Sequence, residues 1–145
     1  MTTVQRKHVV EGAFTETPNG ARLLGSRCAG CGACFFPRSP ACRNPGCSDK
    51  RIEDVELSPR GTLWSYTVQY YKPPPPARLD EPFTPYGIGL VDLPEGIRIM
   101  GMISSDEPAA LKIGQEMELV IETLYHDDDG SEVATWKFRP LERAR

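Results

Sequence analysis

Histidine is scarce in this chain of 145 residues: only His8 and His126 occur. His8 lies in a terminus expected to be mobile, and His126 opens an acidic turn, so neither is placed as a general base. No stretch approaches the roughly 18 consecutive apolar residues of a membrane span. No apolar run follows the charges of residues 1–8, so a secretory signal is not expected. Phosphate-binding glycine loops and dinucleotide fingerprints are missing too. The hydrophobic fraction is 39%, below the roughly 45–50% of ordinary globular chains. The length suits one domain, or one small domain with a metal-stapled appendage. Fourteen prolines and thirteen glycines imply many turns and leave little room for long helices.

Cysteine is where the sequence becomes specific. Four of five cysteines form two close pairs, Cys28-Ala29-Gly30-Cys31 and Cys42-Arg43-Asn44-Pro45-Gly46-Cys47, with ten residues between them. Tight turns at each pair bring four thiolates to one tetrahedral ion, the layout of a structural zinc ribbon. The second pair is two residues longer than a CxxC, a difference the Asn44-Pro45-Gly46 turn absorbs. Without an export signal, such cysteines are expected in a reducing cytosol and on a metal, not in disulfides. Cys34 extends the first pair to C-x2-C-x2-C, the opening of an iron–sulfur motif, but the continuation is missing. It reads as a spare thiol packed beside the ribbon. A redox dithiol at Cys28 and Cys31 lacks the surrounding thioredoxin-like pattern.

Charge is uneven along the chain. Residues 22–51 carry six basic side chains against one acid, Asp49, for a net +5, so the remainder holds −8. Four thiolates and one Zn²⁺ would leave the ribbon near +3. A basic knuckle on an acidic body meets a phosphate locally and lacks the wholly basic surface of a nucleic-acid binder.

The organisation reads as an N-terminal arm (1–21), a ribbon (22–58) and an all-β domain (59–145). The arm holds Val9, Val10, Ala13 and Phe14 and is either a short helix or extended, ending in a turn at Pro18-Asn19-Gly20. Residues 22–27 form a strand into the first knuckle, and 52–59 a polar connector. Residues 63–71 alternate, with Trp64, Tyr66, Val68 and Tyr70 on one face. Residues 86–93 and 97–104 form a hairpin about Pro94-Glu95-Gly96. A helical turn is expected at 107–111, then strands at 117–122 and 132–139 around a solvated acidic tip, 126–130. Gly87 and Gly89 are expected to allow close packing. Three strands, a short helix and two strands is the order of a five-stranded OB barrel. The fold class is therefore mainly β, an N-terminal rubredoxin-like zinc ribbon followed by an OB-fold barrel. Between its first two strands, residues 72–86 hold six prolines in fifteen, a stiff extended loop suited to lie along a partner. Trp64, Tyr66 and Tyr70 alternate as base-stacking residues do, yet core packing explains them equally, and the acidic barrel opposes a polyanion.

The sequence Arg22-Leu23-Leu24-Gly25-Ser26-Arg27-Cys28, then Cys31-Gly32, Phe36-Pro37-Arg38 and Cys42, followed by Gly61-Thr62-Leu63-Trp64-Ser65-Tyr66-Thr67-Val68 and the closing Trp136-Lys137-Phe138-Arg139-Pro140, resembles the zinc-ribbon plus OB-fold family of acyl-CoA-associated proteins. The longer second knuckle and Cys34 depart from the family pattern. Within the family, the chain is similar to small subunits of thiolases that cleave aromatic β-keto acyl-CoA, the benzoylsuccinyl-CoA thiolase among them. The resemblance implies Zn²⁺ on Cys28, Cys31, Cys42 and Cys47, and coenzyme A or acyl-CoA shared with a thiolase-like large subunit. Expected substrate contacts are Phe35, Phe36 and Arg38 beside the ribbon, and Lys72, Arg78, Phe83 and Tyr86 in the proline-rich loop. The same resemblance allows a thiolase-like aldolase or an acyl-CoA hydratase as the partner enzyme. Neither a nucleic acid nor a membrane is an expected partner.

Overall fold

The computed structural model describes residues 6–18 and 20–141. Asn19 of the expected Pro18-Asn19-Gly20 turn, the first five residues of the arm and the last four of the chain lie outside them.

Ten strands and one 3-10 turn make up the described fold: β1 (Arg6–His8), β2 (Phe14–Thr17), β3 (Gly20–Cys28), β4 (Cys34–Phe35), β5 (Ile52–Glu56), β6 (Arg60–Gln69), β7 (Tyr86–Asp92), β8 (Arg98–Ile103), the 3-10 turn Pro108–Ala110, β9 (Glu116–His126) and β10 (Glu132–Pro140). No described helix is long or apolar enough to cross a membrane. Antiparallel pairing joins β6 to β7, β7 to β8, β10 to β9 and β9 back to β6, while β8 and β10 run parallel. The ring closes as a five-stranded barrel, which removes the exposed edges a small open sheet would present. Its helical element is the single turn after β8.

Two expectations change and one open alternative resolves. The arm takes the extended alternative, and its strands are paired: β1 runs parallel with β10, and β2 antiparallel with β3. The connector at 52–59 contains β5, antiparallel to β3 from Leu24 to Cys28. In β6, the register against β7 shifts between Leu63 and Ser65. This β-bulge breaks the alternation, so Leu63 is buried and Trp64 faces solvent, 48% exposed. Tyr66 keeps an inward position, its hydroxyl donating to the Leu111 carbonyl at 2.8 Å.

The core runs through both regions of the chain. Leu63, Val91, Ile99, Met117 and Phe138 fill the barrel, and Phe14, Leu23 and Leu57 from the ribbon side belong to the same buried cluster. Trp136 on β10 is the bridge, its ring 6.2 Å from Phe14 and 5.4 Å from Phe36, both edge-on. Aromatic pairs in this geometry add roughly 0.5–1.5 kcal/mol beyond area burial. Gly89 leaves no room for a side chain: a Cβ there would lie 2.7 Å from Ile103 Cδ1 and 2.9 Å from Leu63 Cδ1. Close packing is therefore its role, as expected.

Candidate functional site

The four paired cysteines converge at the end of β3. Cys28 is its last residue, and its carbonyl accepts from the Gly32 N–H at 2.7 Å, folding the first knuckle back on itself. Gly32 takes φ of +79°, which L side chains rarely adopt. At Gly30 a Cβ would collide with the Asp49 carbonyl, so the returning chain packs directly on the knuckle. In the second knuckle the Asn44 side chain accepts from the Gly46 N–H at 3.1 Å, and its carbonyl accepts from the Cys47 N–H, also at 3.1 Å. That turn takes up the two extra residues. The Lys50 ammonium donates to the carbonyls of Cys42 and Asn44 at 3.3 and 2.8 Å.

The resulting sulfur geometry fits zinc. All four Sγ atoms lie within 4.8 Å of one another. Cys28 and Cys47 stand 3.8 Å apart, and Cys31 and Cys42 3.7 Å. Zn–S bonds of about 2.3 Å at tetrahedral angles require S···S edges of about 3.8 Å. The backbone N–H of Arg51 donates to Cys28 Sγ at 3.4 Å and, as the largest influence, holds that thiol down at about 6. Burial pushes Cys47 up to about 11. A divalent cation would hold all four as thiolates.

Cys34 stands apart. It lies in β4 with Sγ 3.9 Å from the Gly32 carbonyl, outside the four-sulfur group. Burial, then the Glu95 charge, push its thiol up. A third cysteine from the first run is thus not gathered with the others.

The expected substrate contacts fall into two sets. Beside the ribbon, Phe35 pairs with Ser26 across β3 and β4, Phe36 packs on Trp136, and Arg38 faces Asp54 at 3.3 Å. In the loop, Lys72 is paired with Glu81. Arg78 binds Asp127 at 3.0 Å and Asp128 at 3.3 Å, with its guanidinium 4.5 Å from the Tyr125 ring centre. Phe83 lies edge-on to Tyr86 at 6.1 Å. Arg78 and Tyr86 line a mainly apolar cavity of about 330 Å³ with Val9, Leu79, Met102 and Tyr125. Lys72 and Arg78 border a second one along the prolines. The ribbon set lines neither. Both loop cations are thus already neutralised by carboxylates.

Sequence reasoning missed what holds this loop down. The tip at 126–130 is a docking point as well as a solvated turn. Besides the Arg78 contacts, Asp80 accepts from the His126 backbone N–H at 2.8 Å and faces its Nδ1 at 2.5 Å. Lys7 reaches Asp129 at 2.9 Å. The only signal in the sequence was three consecutive acids with isolated cations far away. His8 is likewise corrected from a mobile position: it lies in β1, its ring stacked on Phe14 at 4.1 Å and its Nε2 3.6 Å from Glu16.

A tetrahedral four-thiol site leading into a closed five-stranded barrel defines a zinc-ribbon plus OB-fold protein. Two family models match in this order: the ChsH2 rubredoxin-like zinc ribbon domain over residues 21–53, and the ChsH2 C-terminal OB-fold domain over residues 54–122. The chain belongs to this ChsH2 family. It is 35% identical to a DUF35 domain-containing scaffold protein of Methanocaldococcus jannaschii over 122 residues, 83% of this chain and 82% of that one. With the benzoylsuccinyl-CoA thiolase subunit BbsA of Thauera aromatica it shares 34% identity over 119 residues, 82% of this chain and 76% of the relative. Among solved structures, the Ltp2-ChsH2(DUF35) aldolase matches at a TM-score of 0.58 and 29% identity, covering 82% of this chain and 84% of that one.

Proposed function

We propose that this chain is a cytoplasmic, non-catalytic, zinc-binding accessory subunit of a thiolase-type complex that cleaves an aromatic β-keto acyl-CoA. The observation that carries the reading is chemical. Four of its five thiols converge on one metal position, and both histidines face carboxylates instead of a nucleophile. Likeness to a thiolase subunit along most of the chain supplies the class of reaction.

In this reading the large subunit supplies a cysteine and a base. The cysteine adds to the β-keto carbonyl and the C–C bond breaks. The departing acyl-CoA carbanion is protonated, and the acyl-enzyme passes to free coenzyme A. Cys28, Cys31, Cys42 and Cys47 hold Zn²⁺, which cross-links the two knuckles and supplies no step of this chemistry. This chain walls the acyl-CoA pocket and excludes water from the thioester. Phe35, Phe36 and Arg38 are assigned to the ribbon side of that wall, and Lys72, Arg78, Phe83 and Tyr86 to the loop side. Because Lys72 and Arg78 are paired, contact with coenzyme A phosphates requires them to exchange carboxylate for phosphate.

A second reading, the accessory subunit of a thiolase-like aldolase, is favoured by the likeness to the Ltp2-ChsH2(DUF35) structure. Co-expression with a thiolase-like large subunit, gel filtration and an acyl-CoA thiolysis assay test the first reading. A stable hetero-oligomer whose activity needs both chains is expected. Full activity of the large subunit alone overturns the proposal, and aldol cleavage without dependence on free coenzyme A replaces it with the second reading.

A further inference from the structure

Barrel strands turn alternate side chains inward, and β7 does this the wrong way round for a water-facing strand. Its buried positions are Gly87, Gly89 and Val91. A Cβ at Gly87 would already lie 3.2 Å from Ile103 Cβ. The larger Ile88 and Leu90 are thereby turned outward, where each is half-buried. On β8, Ile99, Gly101 and Ile103 are buried, which leaves Met100 exposed and Met102 half-buried on the outer side. Register places Ile88 beside Met102 and Leu90 beside Met100. Met100 is 61% exposed. At the hairpin end the bulge delivers Trp64, with the Arg98 guanidinium 3.6 Å from its ring centre.

An antiparallel strand with one solvated face ordinarily carries polar residues there. A contiguous apolar face with a polar rim marks an interaction surface, and Met, Trp and Arg are the residue types enriched at interface cores. Arg98 is balanced by Asp92 at 2.6 Å, so the face carries no net charge and fits an uncharged partner surface. β7 is hydrogen-bonded to β6 and β8, and β8 to β7 and β10. No strand can add at this position, and the occupant must pack on side chains. Tyr86 and Met102 carry the face into the cavity beneath the proline-rich loop. It is therefore continuous with the loop that the functional reading assigns to the partner.

We propose that the outer face of β7 and β8, centred on Met100, is where an uncharged apolar surface of the large subunit docks. This rests on the accessory-subunit reading. The test uses the full chain co-expressed with a tagged thiolase-like large subunit. Met100→Asp is compared with Met100→Leu and with Ile113→Asp, the last being another exposed apolar residue, before β9 and off this face. A charge at an interface centre lowers capture by about tenfold or more; Met100→Leu and Ile113→Asp stay near wild type. All variants are expected to keep wild-type zinc content and melting temperature, since both side chains are solvent-facing. Undiminished capture of Met100→Asp overturns the proposal, as does an equal loss with Ile113→Asp. So does a wild-type homodimer in light scattering that Met100→Asp dissolves, since the face would then serve a second copy. Failure of the wild-type pair to form defeats the functional reading itself. Failure confined to the Met100 comparison defeats only the surface.

Discussion

Replacing Cys42 with serine removes one corner of a four-sulfur cluster, two of whose edges are 3.8 and 3.7 Å. Structural zinc contributes about 10–16 kcal/mol in isolated finger peptides. Divided evenly over four sulfurs, one thiolate accounts for about 3 kcal/mol, or roughly a hundred- to a thousand-fold in metal affinity. Competition with a chromophoric chelator measures that shift directly, and elemental analysis gives the stoichiometry. Between Ala29 and Arg51, Cys42 and Ser39 are the only buried residues, so a bound ion would be the main cross-link between the knuckles. The barrel core lies elsewhere, in Leu63, Val91, Ile99 and Phe138. Cys42→Ser is therefore expected to lose zinc, become protease-sensitive between the knuckles and fail to form the complex, while its barrel still melts cooperatively. Cys34→Ser is expected to change neither zinc content nor assembly. Wild-type zinc affinity in Cys42→Ser, or metal loss in Cys34→Ser, would refute the four-sulfur assignment.

At Gly89, valine must displace Ile103 and Leu63, and overpacking of this kind costs about 1–3 kcal/mol; calorimetry should show a melting temperature lower by several degrees, and no change would contradict the inward assignment. Ser26, fully buried, accepts from the Ser39 N–H at 2.9 Å and donates to the Ser39 carbonyl at 3.2 Å; alanine strands both groups, and denaturant titration should register a loss of about 1–3 kcal/mol. The proline-rich loop should respond to acid. Asp80 is held below the usual carboxylate range chiefly by the His126 backbone N–H, and Asp127 chiefly by that of Asp128, with Arg78 next. Depressed carboxylates stabilise fully above the unfolded value of about 3.9 and lose that contribution as pH falls through the lower folded value. Hydrogen exchange at residues 77–81, corrected for intrinsic rates, should quicken below about pH 4. In Arg78→Ala it should be fast already at about pH 8, and a wild-type loop equally protected at about pH 3 and about pH 8 would count against the latch.

The barrel was legible because alternation is local: β7 to β10 announce themselves by which side chains repeat at every second position. The metal site was legible for the same reason, since ligand type and spacing lie within twenty residues. What escaped depended on distant partners. In β5, Glu53, Asp54 and Glu56 leave only Ile52 and Val55 half-buried, too weak an alternation to mark a strand, yet the backbone of β3 accepts it. The bulge before Ser65 carries no sequence mark, and it reversed the fate of Trp64. The acidic tip looked solvated because its cations, Lys7 and Arg78, are 120 and 49 residues away from Asp127.

The chain enters the barrel sheet at β1, leaves it to build β2 to β5, and returns at β6. The cysteine knuckles are thus slung between two moorings to the barrel sheet, β1 on β10 and β6 on β7 and β9, and Trp136 packs on Phe14 and Phe36 of the intervening segment. Their angle to the barrel is settled when the polypeptide folds, before any second protein arrives. Orientational freedom surrendered at that stage does not have to be surrendered again on association. Severing the first mooring by trimming the chain up to Phe14 should slow capture of a large subunit even with every sulfur in place.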